Sequence, residues 1–368
     1  MRDGRLAALR LRLQAEGLDG MLVSFDRNFR YLSGFSGDAG ILLVGREDAV
    51  LITDSRYIET AEQEVRGARA LMYRGRLDET IRQEIEALGG RRWGFEADRL
   101  TYAEFQRLQA LPVELAPTSA LVEGLREVKA PDELAAIRHA CQIAVQALEE
   151  LFPRLRPGMR EVEAALWLEM RMRELGAEGP AFEFIVASGP RGSLPHGSAS
   201  QKQLAKGELV TFDVGCRFLG YHSDITRTVA LGQPPEELAK VYRAVLAAQL
   251  AGLAAVRAGV PAREVDDAAR AVIAAAGYGE RFGHGTGHGV GLEIHEQPLL
   301  GARGEATLAA GMVVTVEPGI YLPGVGGIRV EDTVLVTQDG CEILTPSSKE
   351  LRVFPDSGSA NFQGGGLH

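Results

Sequence analysis

Cysteine is scarce in this chain of 368 residues: Cys141, Cys216 and Cys341 are odd in number, stand far apart and form no Cys-x-x-Cys pair. That excludes a disulfide framework and a thiolate metal site, and it points to a reducing compartment. Long apolar runs are missing as well. The longest are short pieces such as Ile41-Leu42-Leu43-Val44, against the ~18 residues that a membrane span requires. Positive charge is in deficit: 40 Lys and Arg face 50 Asp and Glu, a formal net charge of −10, which disfavours nucleic acid as a partner. The first residues, Met1-Arg2-Asp3-Gly4-Arg5, enter an amphipathic helical pattern rather than an apolar export segment. These absences predict a cytoplasmic protein that binds neither membrane nor nucleic acid. What is present is a hydrophobic content of 45%, enough to bury a large core, over a length that suggests two or three domains.

Up to about Lys129 the pattern alternates between helix and strand. Helical spacing covers 6–16, 57–65, 78–88 and 102–108, and strand patterns cover 20–25, 39–44, 48–53, 92–95 and 113–115. This predicts an α/β domain over residues 1–128. Ala130-Pro131-Asp132-Glu133 puts Pro near the first helical position and acids in the first turn, and it opens a second domain over 129–354. That second part repeats itself. Pro131-Asp132-Glu133-Leu134-Ala135 returns as Pro235-Glu236-Glu237-Leu238-Ala239, and Arg160-Glu161-Val162 returns as Arg263-Glu264-Val265 at nearly the same offset. Each half runs two helices and then β-rich sequence. A duplicated helix-helix-sheet unit about a pseudo-twofold axis is expected, with a site between the halves that draws ligands from both. Residues 355–368, aperiodic and rich in Gly, Ser and Asn, read as a disordered tail or a cloning remnant.

Four segments of the second part set acids or imidazoles in β-rich surroundings. Leu209-Val210-Thr211-Phe212-Asp213-Val214 and Tyr221-His222-Ser223-Asp224-Ile225-Thr226 read as strands of one hairpin, which brings Asp213 and Asp224 to one face. The run from Phe282 to His295 offers His284, His288 and His295 on a glycine-rich backbone that can approach a ligand closely. Val313-Val314-Thr315-Val316-Glu317 is a strand ending in a carboxylate, and Ile328-Arg329-Val330-Glu331 puts Arg329 and Glu331 on one strand face. A carboxylate in an apolar strand is costly unless partnered. Asp213, Asp224, Glu317 and Glu331 gathered in one core could not all ionise without cations between them. Two divalent cations balance the four carboxylates, and His288 completes the ligand set. Of the remaining histidines, His139 reads as a packing or surface residue, and His222, close to Asp224, as a candidate for substrate contact.

The order Asp, Asp, His, Glu, Glu, with HGTGHGVGLEIHE, VEPGIY and GIRVEDT, resembles the metal-dependent "pita-bread" peptidases, among them methionine aminopeptidase, prolidase and aminopeptidase P. Asn28-Phe29-Arg30-Tyr31-Leu32-Ser33-Gly34-Phe35 resembles the creatinase-like amino-terminal domain of the Xaa-Pro branch, which methionine aminopeptidases lack. Creatinase shares the architecture without the metal ligands, whereas all five ligand positions are filled here. The resemblance implies an α/β creatinase-like N-terminal domain plus an α+β pita-bread catalytic domain with an internal pseudo-twofold repeat. It implies Asp213 on one metal, His288 and Glu317 on the other, and Asp224 and Glu331 bridging the two. Oxygen-rich donors with one imidazole suit Mn²⁺, with Co²⁺ or Zn²⁺ as alternatives. The resemblance further implies Glu317 as proton shuttle, His295 as stabiliser of the tetrahedral intermediate and His196 as a contact near the scissile bond. His284 and Tyr321 would line the substrate pocket, His284 on the proline side, and Arg329 would hold Glu331 in place. The implied partner is a peptide with proline at position two, and the implied assembly a homodimer.

Two activities share this chemistry. A dipeptidase must neutralise the free carboxylate on the proline, whereas an aminopeptidase that takes longer peptides leaves that side open. Many prolidases place an Arg shortly after the His-Glu pair, and His295-Glu296-Gln297-Pro298-Leu299-Leu300 has none. Asp54-Ser55-Arg56-Tyr57 resembles the DxRY motif of aminopeptidases P and offers Arg56 as a substrate contact; Asp54 or Ser55 is also placed to cap a helix from Tyr57. The reading is a dinuclear Xaa-Pro aminopeptidase, aminopeptidase P. The alternative is an Xaa-Pro dipeptidase, a prolidase, for which Arg46 and Arg191 are the candidate carboxylate partners.

Overall fold

The computed structural model describes residues 3–355, which divide into two compact units, 3–126 and 127–355. The expected tail, apart from Pro355, lies outside the described residues.

In the first unit six strands form one mixed sheet, in the order Arg69–Met72, Ala49–Thr53, Ile41–Val44, Gly20–Val23, Arg92–Glu96, Glu114–Thr118. Leu22, Leu43, Val50 and Ile52 pack with Ile81 and Ile85 of the helix Leu77–Leu88 and with Trp93 and Phe95. Strands buried on both faces read as near-continuous apolar runs, which is why 41–44 and 49–53 are plain in the sequence. Three elements escape the sequence pattern, one of them the four-residue helix Glu123–Arg126. The edge strand Arg69–Met72 is only partly buried and shows no clear alternation. The helix Asp26–Ser33 is eight residues long, too short for its period to stand out, although it buries Phe29 and Leu32. Its start is fixed by a distant residue: buried Glu96 accepts from the backbone N–H groups of Ser24 and Phe25 and from the Asn28 side chain. Gly34, at φ 86°, ends it in the left-handed conformation that glycine tolerates. The helix expected from Tyr57 starts at Ile58, and neither Asp54 nor Ser55 caps it. The Asp54 carboxylate instead accepts from the backbone and guanidinium of Arg56, the shorter-range partner.

The second unit is built twice over. The helix Pro131–Leu151 carries Pro at its first position, and Glu133 accepts from the Ala130 N–H. With the helix Glu161–Glu174 it covers a four-stranded sheet of Val353–Phe354, Ile225–Leu231, Glu208–Val214 and Ile185–Ser188. The helices Glu236–Ala255 and Ala262–Ala275 then pack on a five-stranded sheet of Glu296–Leu300, Gly287–Gly289, Val313–Val316, Asp332–Val336 and Cys341–Ile343, and on the ribbon Gly319–Leu322 with Gly326–Arg329. This is the creatinase-like and pita-bread architecture that the motifs imply. Glu236–Ala255 has the length and apolar content of a membrane span, but Val241, Val245, Ala248 and Leu253 are buried against the neighbouring helix and sheet strands. It is a core helix.

Candidate metal centre

Strand alternation places the first acid. In Glu208–Val214 the side chains of Phe212 and Val214 enter the hydrophobic core, so Asp213 between them faces the opposite side. The partner strand pairs Thr226 with Asp213, and Asp224 stands just ahead of its first residue, Ile225, on the same sheet. The expected hairpin is present, extended by a small excursion through Cys216–Phe218 and Tyr221–His222. His288 is the middle residue of Gly287–Gly289, Glu317 follows Val313–Val316, and Glu331 lies between Gly326–Arg329 and Asp332–Val336. The glycines beside His288 have a steric cause. A Cβ on Gly287 would stand 2.0 Å from the Thr315 carbonyl oxygen, and one on Gly289 2.2 Å from that of Gln297.

These five side chains line one cavity of 1470 Å³, together with His196, His284, His295, Tyr321 and Arg329. Donor atoms of Asp224, His288 and Glu331 lie within 4.8 Å of one another. His288 Nε2 is 3.3 Å from Glu317 Oε1 and 3.7 Å from Asp224 Oδ2. Asp213 Oδ1, Asp224 Oδ1 and Glu331 Oε1 are buried with no hydrogen-bond partner among the described residues. Orphaned carboxylate oxygens in a cavity that also holds an imidazole are what a divalent cation would satisfy, and the donor set of oxygens with one nitrogen suits a hard or borderline ion. The ring of His288 is oriented for this, since Nδ1 donates to the Gly289 carbonyl at 3.0 Å and leaves Nε2 facing the acids.

Protonation follows from burial and like charge. Burial, reinforced by Glu331, Asp213 and Glu317, pushes the Asp224 carboxyl well above its ordinary value. Burial with Glu317 and Asp213 does the same to Glu331. Asp213 is also raised by burial, although Arg329 opposes the shift. Burial works against charge on Glu317 too, but the hydrogen bond and charge of His288, with His284 and Arg329, more than offset it and hold Glu317 low. His288 is the converse: burial favours the neutral ring, and Glu317 nevertheless keeps it above its ordinary value. Burial lowers His284 and His295, the latter also through the charge of His288, whose ring centroid is 4.4 Å away.

Several expected roles shift. Arg329 is buried and pairs with Asp213, not with Glu331; it also donates to the Tyr321 hydroxyl at 2.8 Å. Glu331 is held by the Thr226 hydroxyl at 2.7 Å. Because Arg329 can only donate, the Tyr321 hydroxyl gives its proton to His284 Nε2, also at 2.8 Å, and His284 Nδ1–H donates to the Gly285 carbonyl. His222 does not line the cavity; its Nδ1 and backbone N–H both meet the Gly291 carbonyl. His139 lies on the surface against the ring of Phe218. Arg191 is taken by buried Glu161 and the Ser198 carbonyl. Arg46 and Arg56 belong to the first unit, where they pair with Asp19 and Asp54. Two supports are missing from the sequence reading. Asp266, fully buried on the helix Ala262–Ala275, accepts from the Thr286 backbone and hydroxyl, and Arg270 one turn later donates to the Phe282 and His284 carbonyls. Arg227, buried with Asp332, donates to the Glu331 carbonyl.

A duplicated helix-helix-sheet unit whose cavity gathers four acids and an imidazole defines a class of metal-dependent hydrolases. Residues 135–338 match the model of metallopeptidase family M24, and residues 5–128 match that of the creatinase/prolidase N-terminal domain. The chain belongs to metallopeptidase family M24. It is similar to an Xaa-Pro dipeptidase from Bacillus anthracis of solved structure, with 43% identity, a TM-score of 0.94, and coverage of 96% of this chain and 100% of that one. It is similar to the Xaa-Pro dipeptidase of Pyrococcus horikoshii, 37% identical over 343 residues, which are 92% of this chain and 96% of that one. The structure of an X-Pro aminopeptidase from Thermotoga maritima is similar as well, with 37% identity, a TM-score of 0.87, and coverage of 93% and 99%.

Proposed function

We propose that this protein is a dinuclear Xaa-Pro dipeptidase, which hydrolyses the bond between an N-terminal residue and a C-terminal proline. The observation that carries the hydrolytic reading is the set of orphaned oxygens on Asp213, Asp224 and Glu331 in the cavity that His288 also lines. The dipeptidase rather than aminopeptidase P reading is favoured by the relatives: the Bacillus anthracis and Pyrococcus horikoshii proteins are both named Xaa-Pro dipeptidases, and the former has the higher identity. This reverses the preference drawn from Leu299 and the Asp54-Ser55-Arg56-Tyr57 motif.

In this reading Asp213, Asp224, His288, Glu317 and Glu331 would hold the two cations. Two bound Mn²⁺ ions would supply an acidified water near neutral pH and polarise the substrate carbonyl. Glu317, kept ionised by His288, moves a proton toward the leaving proline nitrogen. His295 and His196 donate to the developing oxyanion, and the Arg329–Tyr321–His284 chain holds the imidazole that faces the proline ring. The test is kcat/KM on Ala-Pro and on Ala-Pro-Ala with the same metal. The dipeptide should be cleaved better; a preference for the tripeptide would return the assignment to aminopeptidase P.

A further inference from the structure

We propose that Lys129 is a positioning residue for hydrolysis: its buried ion pair with Glu296 fixes the turn 291–296 that presents His295, an inference that rests on the reading of His295 as a donor to the developing oxyanion. The His295 ring needs such a device. Its centroid is 4.4 Å from that of His288, yet the ring makes no hydrogen bond among the described residues. A ring without a partner points where its backbone points, so the turn decides the geometry. Lys129 Nζ lies 3.1 Å from Glu296 Oε2, and the two side chains are 1% and 6% exposed. Burying two charges is costly, and apolar side chains of similar volume would hold the fold at least as well. The pair is therefore explained better by position than by stability.

The contacts of Glu296 reach the whole turn. Its Oε1 accepts from the Glu293 backbone N–H at 3.1 Å, while Oε2 meets the ammonium. The carboxylate lies against Gly291, where a Cβ would stand 2.5 Å from Oε2 and 2.6 Å from Oε1. The Gly291 N–H donates to the Glu293 carbonyl at 3.0 Å, and the Gly291 carbonyl accepts from the His222 backbone N–H at 2.8 Å. Both ends of the turn are thus held, Gly291 by the strand Tyr221–His222 and Glu296 by Lys129. Lys129 is itself fixed. Its backbone N–H donates to the Gly311 carbonyl at 2.9 Å, just ahead of the strand Val313–Val316 that leads to Glu317, and its ammonium also donates to the Glu127 carbonyl at 3.3 Å. One residue therefore ties the strand that delivers a metal ligand to the turn that delivers His295.

The experiment is a double-mutant cycle on metal-loaded enzyme: wild type, Lys129→Met, His295→Ala and the two combined. The substrate is Ala-Pro, or Ala-Pro-Ala if that is cleaved better. Lys129→Met keeps an unbranched side chain and removes the ammonium. Its kcat should fall ~10-fold, or about 1.4 kcal/mol, with KM little changed and with wild-type Mn²⁺ affinity by calorimetric titration. In the His295→Ala background the same change should cost nothing further, because the residue it positions is gone. Should the melting curve show that Lys129→Met does not fold, Lys129→Met/Glu296→Gln removes both charges and takes its place in the cycle. A wild-type kcat in the Lys129 variant, beside a loss in His295→Ala, overturns the positioning role and leaves the His295 reading standing. An equal loss in both backgrounds overturns it too, since Lys129 then serves the fold at large. So does a matching loss of Mn²⁺ affinity, which moves the effect to the ligands. A wild-type kcat in His295→Ala overturns the reading of His295 itself, and the positioning role with it.

Discussion

Asp266 and Thr286 are joined twice: the buried carboxylate accepts from the Thr286 backbone N–H at 3.0 Å and from its hydroxyl at 2.8 Å. One turn further along the helix, Arg270 pairs with the same carboxylate and donates to the carbonyls of Phe282 and His284. A glycine-rich strand has little stiffness of its own, because each glycine loses more conformational freedom on ordering than any other residue. The helix supplies the rigidity, holding the strand on both sides of His284 and two residues before His288.

Asp266→Ala should therefore weaken both the fold and metal binding. It strands the Thr286 N–H in the core and takes the carboxylate partner from Arg270, a change of a kind that costs about 3–5 kcal/mol. Loss of a residue that orients a ligand strand costs about 10- to 100-fold in metal affinity. Calorimetric titration of Mn²⁺ into the variant, beside its melting curve, measures both. Wild-type affinity would show that the strand holds its shape without the helix.

The four acids and one imidazole of the centre are legible in the sequence because charge in an apolar strand is expensive and needs a reason. Their supports are not. Asp266 and Arg270 stand four apart on a helix, a spacing that also describes an ordinary surface ion pair, and only packing places the Asp at zero exposure. Arg329 alternates onto the strand face of Glu331, yet it reaches Asp213 on another strand, a relation fixed by tertiary register. In the first unit the doubly buried strands are plain, whereas Asp26–Ser33 depends on Glu96, far along the chain, for its start.

The conflict among buried acids predicts opposite pH trends with and without metal. The raised carboxyls of Asp224 and Glu331 bind protons in the folded state that the unfolded chain has already lost above the ordinary values of 3.8 and 4.5. Where the native state binds more protons, unfolding free energy falls as pH rises, so these groups favour the metal-free fold at acid pH and less so above it. Metal binding needs the same groups deprotonated, so its stabilisation grows with pH. Asp224→Asn should raise the Tm of chelator-treated protein at about pH 8 and abolish the upward shift that Mn²⁺ gives the wild type. A lower Tm for the chelator-treated variant would mean that the acids are not in conflict.

Glu317→Gln should leave the fold in place and stop turnover. The amide removes the carboxylate that His288 holds ionised, so both a ligand charge and the proton carrier are lost. General acid–base groups contribute about 10²- to 10⁴-fold, and kcat should fall at least that far. His295→Ala should lower kcat more than it raises KM, since its contact would strengthen only in the transition state. Steady-state kinetics on Ala-Pro decide both, and a wild-type kcat in either variant would reassign the role.

Arg191 separates two explanations of one loss. As a partner for the substrate carboxylate it would matter only for dipeptides. In the structure it pairs with Glu161, a fully buried acid that also accepts from the backbone and hydroxyl groups of Ser188 and of Ser200. Its other terminal nitrogen donates to the Ser198 carbonyl at 2.7 Å. Glu161 thus ties down both ends of the 188–200 loop that brings His196 to the cavity, and Arg191 clamps the middle. Arg191→Ala leaves Glu161 four of its donors, so the cost should fall at the lower end of the ~3–5 kcal/mol typical of a broken buried pair. For a unit of this size that is a drop in Tm of roughly 6–12 °C. With His196 displaced, kcat/KM should fall about 10- to 100-fold for Ala-Pro, for Ala-Pro-amide and for Ala-Pro-Ala alike. Arg191→Lys, which can keep the charge but not the two-ended reach, should recover stability better than activity. A loss confined to Ala-Pro would instead place Arg191 on the substrate carboxylate, and the clamp would have to be abandoned.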